Sequence, residues 1–372
     1  VDDKAAKPLN IVIIGLSITS SWGNGHATTY RGLMRELVAA GCDVLFLERD
    51  APWYAAHRDL PFPPFGETVL YESTAELKAR FASEVRDADL VIVGSYVPEG
   101  IEVGHWVTRT ARGVTAFYDI DTPVTLDGLG TDKVTYLSRG LIRRYQLYLS
   151  FTGGPVLARL EREFGAPMAR ALYCSVDPRT YYPEPREPQW SLGYMGTYSE
   201  DRQPVLERLL IEPARRRGDA RFVVAGAQYP AARPWPRNVT HVEHVPPAQH
   251  RAFYTSQRFT LNLTRASMVG AGYSPSVRLF EAAACGTPII SDRWKGLDTF
   301  FEPGREILLA ATADDVLRHL ERVSEAERAQ IAARALARVL SHHTSRQRAA
   351  ELRRYVQEVL AGNQRAEKVQ EP

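Results

Sequence analysis

Between Gly272 and Asp292 the sequence GYSPSVRLFEAAACGTPIISD sets Arg278 and Glu281 three residues apart, a spacing that puts both on one face of a helix. Ser274 can cap that helix, Pro275 suits its first position, helix formers run from Ser276 to Cys285, and Gly286 supplies a left-handed stop. A helix that begins among small residues presents free backbone amides. With Arg278 one turn in, this is a recipe for holding a phosphate. The same stretch also suits a helix packed on a sheet, with Arg278 and Glu281 as a surface ion pair.

Further residues carry chemistry in their placement. Asp119 and Asp121 close an apolar run, and such a pair can hold a divalent ion on a diphosphate. It can equally cap the following turn or touch an acceptor hydroxyl. Gly23-Asn24-Gly25-His26 follows the first apolar run, at the strand end where open α/β sheets bind ligands. A Gly-x-Gly pair is also ordinary turn chemistry, and no third glycine or downstream acid completes a dinucleotide fingerprint. Arg265 stands at another strand end, and Arg202 closes the loop Gly196-Thr197-Tyr198-Ser199-Glu200-Asp201.

Glu281, Ala282, Ala284, Cys285, Gly286, Pro288 and Ile289 resemble the E-A-x-A-C-G-x-P-V/I signature of nucleotide-sugar glycosyltransferases of the GT-B fold. The wording VRLFEAAACGTP is most similar to the spore-maturation-type branch of the bacterial group 1 enzymes. The family has two glutamates separated by seven residues, the first near the sugar and the second on the ribose. Glu281 matches the second, and Tyr273 stands where the first would be. The resemblance implies that Gly25 and His26 face the donor, that Thr197 and Arg202 lie on the diphosphate loop, and that His244 sits near the base. Ser274, Ser276, Arg265 and Arg278 complete the implied donor site. His26, Asp119 and Asp121 are the candidates to orient or deprotonate the acceptor.

The implied fold is α/β, with two facing Rossmann-like domains, parallel sheets and a C-terminal helix crossing back. The implied activity moves a sugar from a nucleotide diphosphate sugar to an unidentified acceptor with no metal ion and no cofactor. An epimerase on the same fold and a non-catalytic nucleotide-sugar binder are the alternatives.

The elements that must position these residues follow from hydrophobic pattern. NIVIIG, CDVLFL, DLVIVG and residues 113–118 read as strands buried on both faces, with helices expected over Thr28–Ala40, Thr74–Ala88 and Ile101–Thr110. LYLSF and ALYCSV (Ala171–Val176) are expected to end the first sheet, and the Pro-rich run after Val176 reads as a linker. Domains are therefore expected over residues 9–178 and 191–343, joined by a hinge at 179–190, with a returning helix at 344–362. Alternation resumes in the second domain, and residues 363–372 read as a disordered tail. Residues 1–7 are set aside from the fold.

At 372 residues the chain is long enough for two cores. A formal net charge of +2 points to neither a nucleic acid nor a membrane as partner. Only six of the 46 basic residues are Lys, so phosphate contacts are expected from Arg forks. Cys42, Cys174 and Cys285 are far apart and read as buried thiols in a reducing compartment. No apolar run reaches the ~18 residues that span a bilayer, and a cytoplasmic location is expected. The oligomeric state is not legible.

Overall fold

The computed structural model describes residues 8–131, 133–231 and 233–370, so the set-aside residues 1–7 lie outside the described part. The chain divides into two compact units: one runs to Tyr173 and takes up the chain again from Ser345, and the other is Cys174–Thr344. Residues 174–178, expected in the first domain, and the expected hinge at 179–190 thus belong to the second unit.

In the first unit, strands β1 (Asn10–Gly15), β2 (Asp43–Arg49), β3 (Glu67–Tyr71), β4 (Leu90–Gly94), β5 (Val114–Asp119), β6 (Leu147–Ser150) and β7 (Ala169–Ala171) form one sheet in the order β3-β2-β1-β4-β5-β6-β7. Every pairing is parallel. The runs read as buried strands are buried: Leu90 to Gly94 has no exposed position, as a sheet covered on both faces requires. β3 was not expected, because ETVLY lies at the sheet edge with most of its residues only half-buried. The helix expected over Thr74–Ala88 is broken at Phe81 into Thr74–Arg80 and Ala82–Asp87. The strand expected at Ala171–Val176 is instead β7, two residues earlier, and Val176 makes an isolated bridge to Thr344 inside the second unit.

The last helix runs Ser345–Gln370 and packs in the first unit against the Ala27–Ala39 helix, β5 and β6. Residues 363–370 are helical rather than a disordered tail, and residues 371 and 372 lie outside the described part.

In the second unit, β8 (Trp190–Met195), β9 (Phe222–Ala225), β10 (Val239–Val242), β11 (Gln257–Asn262), β12 (Ile289–Ser291) and β13 (Leu308–Leu309) form a second sheet, order β10-β9-β8-β11-β12-β13. It too is parallel throughout. Leu192, Tyr194, Leu209, Phe222, Phe259 and Ile290 sit in its core, all almost fully buried. The protein is therefore α/β with two Rossmann-like parallel-sheet units.

Candidate active site

In the second sheet the strand order reverses between β8 and β11, and ligands of open α/β sheets bind outside the carboxyl ends of the strands at such a point. Arg278 ties the two strands together there. Its Nε donates to the carbonyl of Met195, the last residue of β8, and its Nη1 donates to Oδ1 of Asn262, the last residue of β11, at 3.0 Å. The Tyr194 ring lies 4.8 Å from the guanidinium carbon. A network continues from Asn262. Its Nδ2 donates to Ser291 Oγ at 2.9 Å, and Asp292 accepts the Thr264 amide at 3.0 Å and the Thr264 hydroxyl at 2.9 Å. Burial holds the Asp292 carboxyl above the ordinary carboxylate range.

The helix carrying Arg278 runs Val277–Ala284, so it starts later than expected and Ser276, not Ser274, is its N-cap residue. Ser276 makes no capping bond. Its Oγ donates to Asn262 Oδ1 at 2.7 Å, which leaves the first-turn amides without that local acceptor. Gly286 has φ of 71°, the left-handed stop read from the sequence. Ser274 is buried ahead of the helix.

Arg278 and Glu281 are 8% and 2% exposed, which removes the surface ion pair. Each turns to a different partner set. Glu281 Oε2 accepts from Tyr254 Oη at 3.2 Å and lies 3.7 Å from Nδ1 of His250.

The remaining donor-side candidates lie on loops of the second unit. Arg202 donates to the Thr197 carbonyl at 2.7 Å and so closes its own loop. Asp201 accepts the Ala266 amide at 3.0 Å, fastening that loop to the Ala266–Ala271 helix, whose N-cap is Arg265. Thr264, Ala266, Asp292 and Asp201, with Arg208 and Arg293, line a recess of about 360 Å³. His244 follows β10 in a half-buried loop. Tyr273 has φ of 50°, rare for a bulky residue, and donates its amide to the Lys295 carbonyl at 2.7 Å. Its ring lies against Gly296, where an added Cβ would sit 2.4 Å from Tyr273 Cδ1.

In the first unit, Asp119 is fully buried and accepts from Thr125 Oγ1 at 2.8 Å, from the Asp121 amide at 3.2 Å and from Tyr148 Oη. Burial raises its carboxyl to about 6. These three bonds hold its carboxyl in place inside the first unit. Asp121 is the N-cap residue of the Thr122–Gly128 helix but makes no side-chain capping bond. It accepts from Tyr96 Oη at 2.8 Å, and Tyr96 itself has a left-handed φ of 65°. His26 precedes the Ala27–Ala39 helix, with its ring 5.4 Å from that of Phe151, and Gly25 beside it is exposed. Among the described residues no three His, Cys, Asp or Glu are grouped to hold a metal ion. Among the same residues no helix is long and apolar enough to cross a membrane.

Residues 202–354 match the family described as "Glycosyl transferase-like". The chain carries a glycosyltransferase domain. No curated protein matches it in sequence. Among solved structures, an α-glucosyltransferase in complex with UDP and DNA is similar at a TM-score of 0.72 and 14% identity, over 94% of this chain and 99% of that one. A sucrose-phosphate synthase from Thermosynechococcus elongatus is similar at 0.68 and 15% identity, over 95% and 100%. HepE of Anabaena, in complex with UDP and glucose, is similar at 0.68 and 12% identity, over 94% and 100%. At these identities the likeness establishes the fold, which is GT-B.

Residues that the sequence did not single out hold this glycosyltransferase domain and its companion unit in shape. Asn262 is the hub of the second-unit network, and Tyr254 and His250 converge on Glu281. In the first unit the buried Glu48 accepts the Ile18 and Thr19 amides at 2.8 and 3.1 Å and the Ser17 and Thr19 hydroxyls at 2.8 and 2.6 Å. Asp59 accepts the Ser21 amide at 2.7 Å and pairs with Arg31 at 2.8 Å. Together they fix the loop that leads to Gly25 and His26. The one legible signal was Glu48 itself, a carboxylate after the apolar run CDVLFL.

Proposed function

We propose that the protein moves a sugar from a nucleotide diphosphate sugar to an acceptor hydroxyl, in the cytoplasm and without a metal ion. The observation that carries this reading is Arg278, buried and bonded to the ends of both strands at the switch point, beside a helix start whose serine is turned away from its own amides. A fixed positive charge next to a helix start that no side chain caps favours a diphosphate. Glu281, one turn further on, is the group for the ribose hydroxyls. UDP in the complexes of the similar structures supports a UDP-sugar as donor. The wording VRLFEAAACGTP supports placement in the spore-maturation-type branch.

In the reaction the bond from the anomeric carbon to the diphosphate oxygen breaks, and a bond from that carbon to the acceptor oxygen forms. The electron pair of the broken bond goes to the nucleoside diphosphate, and the acceptor loses its proton. Arg202, Arg265 and the helix amides meet the growing negative charge, while Arg278 holds the helix start rigid, so little reorganisation accompanies charge development. Asp121, oriented by Tyr96, takes the acceptor proton, with His26 as the second polar group on the acceptor side. Asp119 supports that loop from beneath.

The test is a melting-temperature screen of the full chain against UDP, GDP, ADP and their glucose conjugates, followed by product analysis. A ligand at ~100 times its dissociation constant adds ~2.7 kcal/mol. Stabilisation by one nucleotide family, and sugar transfer that requires an acceptor, support the reading. Isomerisation of the donor sugar without acceptor, or no stabilisation by any of them, overturns it.

A further inference from the structure

We propose that Tyr254 and His250 are positioning residues that fix the Glu281 carboxylate for a nucleotide ribose, an inference that rests on the donor reading of Glu281. The two lie four residues apart on the Pro247–Thr255 helix, so both face the same way. Tyr254 Oη donates to Glu281 Oε2 at 3.2 Å, and His250 Nδ1 lies 3.7 Å from the same oxygen. A third ring completes the arrangement, since Tyr181, from the Pro-rich segment, has its Oη 3.0 Å from His250 Nδ1.

The proton positions follow from what each atom can do. His250 Nε2 is 3.0 Å from the Val245 carbonyl, which only accepts, so the neutral ring carries its proton on Nε2. Nδ1 is then an acceptor that receives the Tyr181 hydroxyl and gives Glu281 no proton, so His250 positions the carboxylate by contact alone, and the hydrogen bond that holds it is Tyr254's. Tyr254 and Tyr181 are almost fully buried, and burial together with the Glu281 charge pushes both phenols well above their ordinary range. They stay protonated and remain donors. Thr287 Oγ1 donates to the Tyr254 carbonyl at 2.9 Å and fixes the end of the helix that carries the phenol. A glutamate has three side-chain torsions to immobilise on binding. One whose carboxylate is already held loses less freedom when a diol docks on it.

The experiment compares UDP with 2′-deoxy-UDP by titration calorimetry on the full chain, for wild type, Tyr254→Phe and His250→Gln. The wild type is expected to prefer UDP. Tyr254→Phe is expected to weaken UDP about tenfold, the scale of one bond to a charged group, while 2′-deoxy-UDP changes little, so the preference collapses. His250→Gln, which keeps a polar group at the site, is expected to shift the preference in the same direction by less. Equal weakening of both nucleotides in both variants, or no change in either, overturns the positioning role and leaves the donor reading standing. A wild-type chain that binds both nucleotides alike overturns the ribose role of Glu281, and one that binds neither overturns the donor reading, and this inference falls with either.

Discussion

Arg278 donates from Nη1 to Oδ1 of Asn262 at 3.0 Å, and so the helix beginning at Val277 is keyed to the last residue of β11. The same oxygen receives Ser276 Oγ at 2.7 Å, which makes one amide the register mark for the proposed phosphate site. An Arg so buried cannot be removed without leaving the Asn262 amide and the Met195 carbonyl short of a donor.

Arg278→Ala is accordingly expected to cost roughly 2–4 kcal/mol of stability, read by urea denaturation, with donor turnover falling as well. Arg278→Lys keeps the charge but not the fork that reaches two strands, and is expected to recover less than half of that loss. A cost within about 1 kcal/mol for both, the range of an exposed pair, would contradict the keyed arrangement.

The spacing of Arg278 and Glu281 shows what a sequence makes legible and what it does not. Their shared helix, its glycine stop and the buried strands on either side are local matters of propensity and pattern, and they were readable. That Arg278 turns to Met195 and Asn262 while Glu281 turns to Tyr254 depends on partners far away in the chain, and local spacing left open a pairing that the structure does not form. β3 escaped for a related reason, because an edge strand has no need of a continuous apolar run. The Thr122–Gly128 helix was hidden by Pro123, which reads as a breaker yet fits a first turn. Asn262 carries no motif at all, and Glu48 only its place after the apolar run CDVLFL. Their roles arise only when strand ends meet.

Asp119 predicts a pH effect. Its carboxyl is raised from 3.8 to about 6, chiefly by burial, so the native state binds this proton more tightly than the unfolded chain does. The contribution to stability is fully present below the unfolded value and is lost as pH rises through about 6. Asp119→Asn cannot titrate. Wild type should therefore lose up to roughly 3 kcal/mol relative to the variant between about pH 4 and 7, in denaturation curves taken across that range. Parallel pH profiles for the two proteins would contradict the assignment.

Asp121 is expected to act on the acceptor rather than through a metal. Asp121→Asn should lower turnover at least tenfold with nucleotide affinity near wild type, and Tyr96→Phe, which removes its orienting bond, should fall between the two. Chelation with EDTA should leave wild-type turnover nearly intact. Turnover abolished by EDTA and restored by manganese or magnesium would contradict the metal-free scheme.

The most direct test of the central claim, that the second unit holds a nucleotide diphosphate with Glu281 on its ribose, is the dissociation constant of the best-binding nucleoside diphosphate for wild type and Glu281→Gln. Glu281→Gln keeps the shape and loses the charge. One bond to a charged group is worth roughly 1.5–3 kcal/mol, so binding should weaken by about ten- to a hundredfold in the variant, with kcat less affected. Equal affinity in the two proteins, or no binding of any nucleoside diphosphate to wild type, would contradict the account.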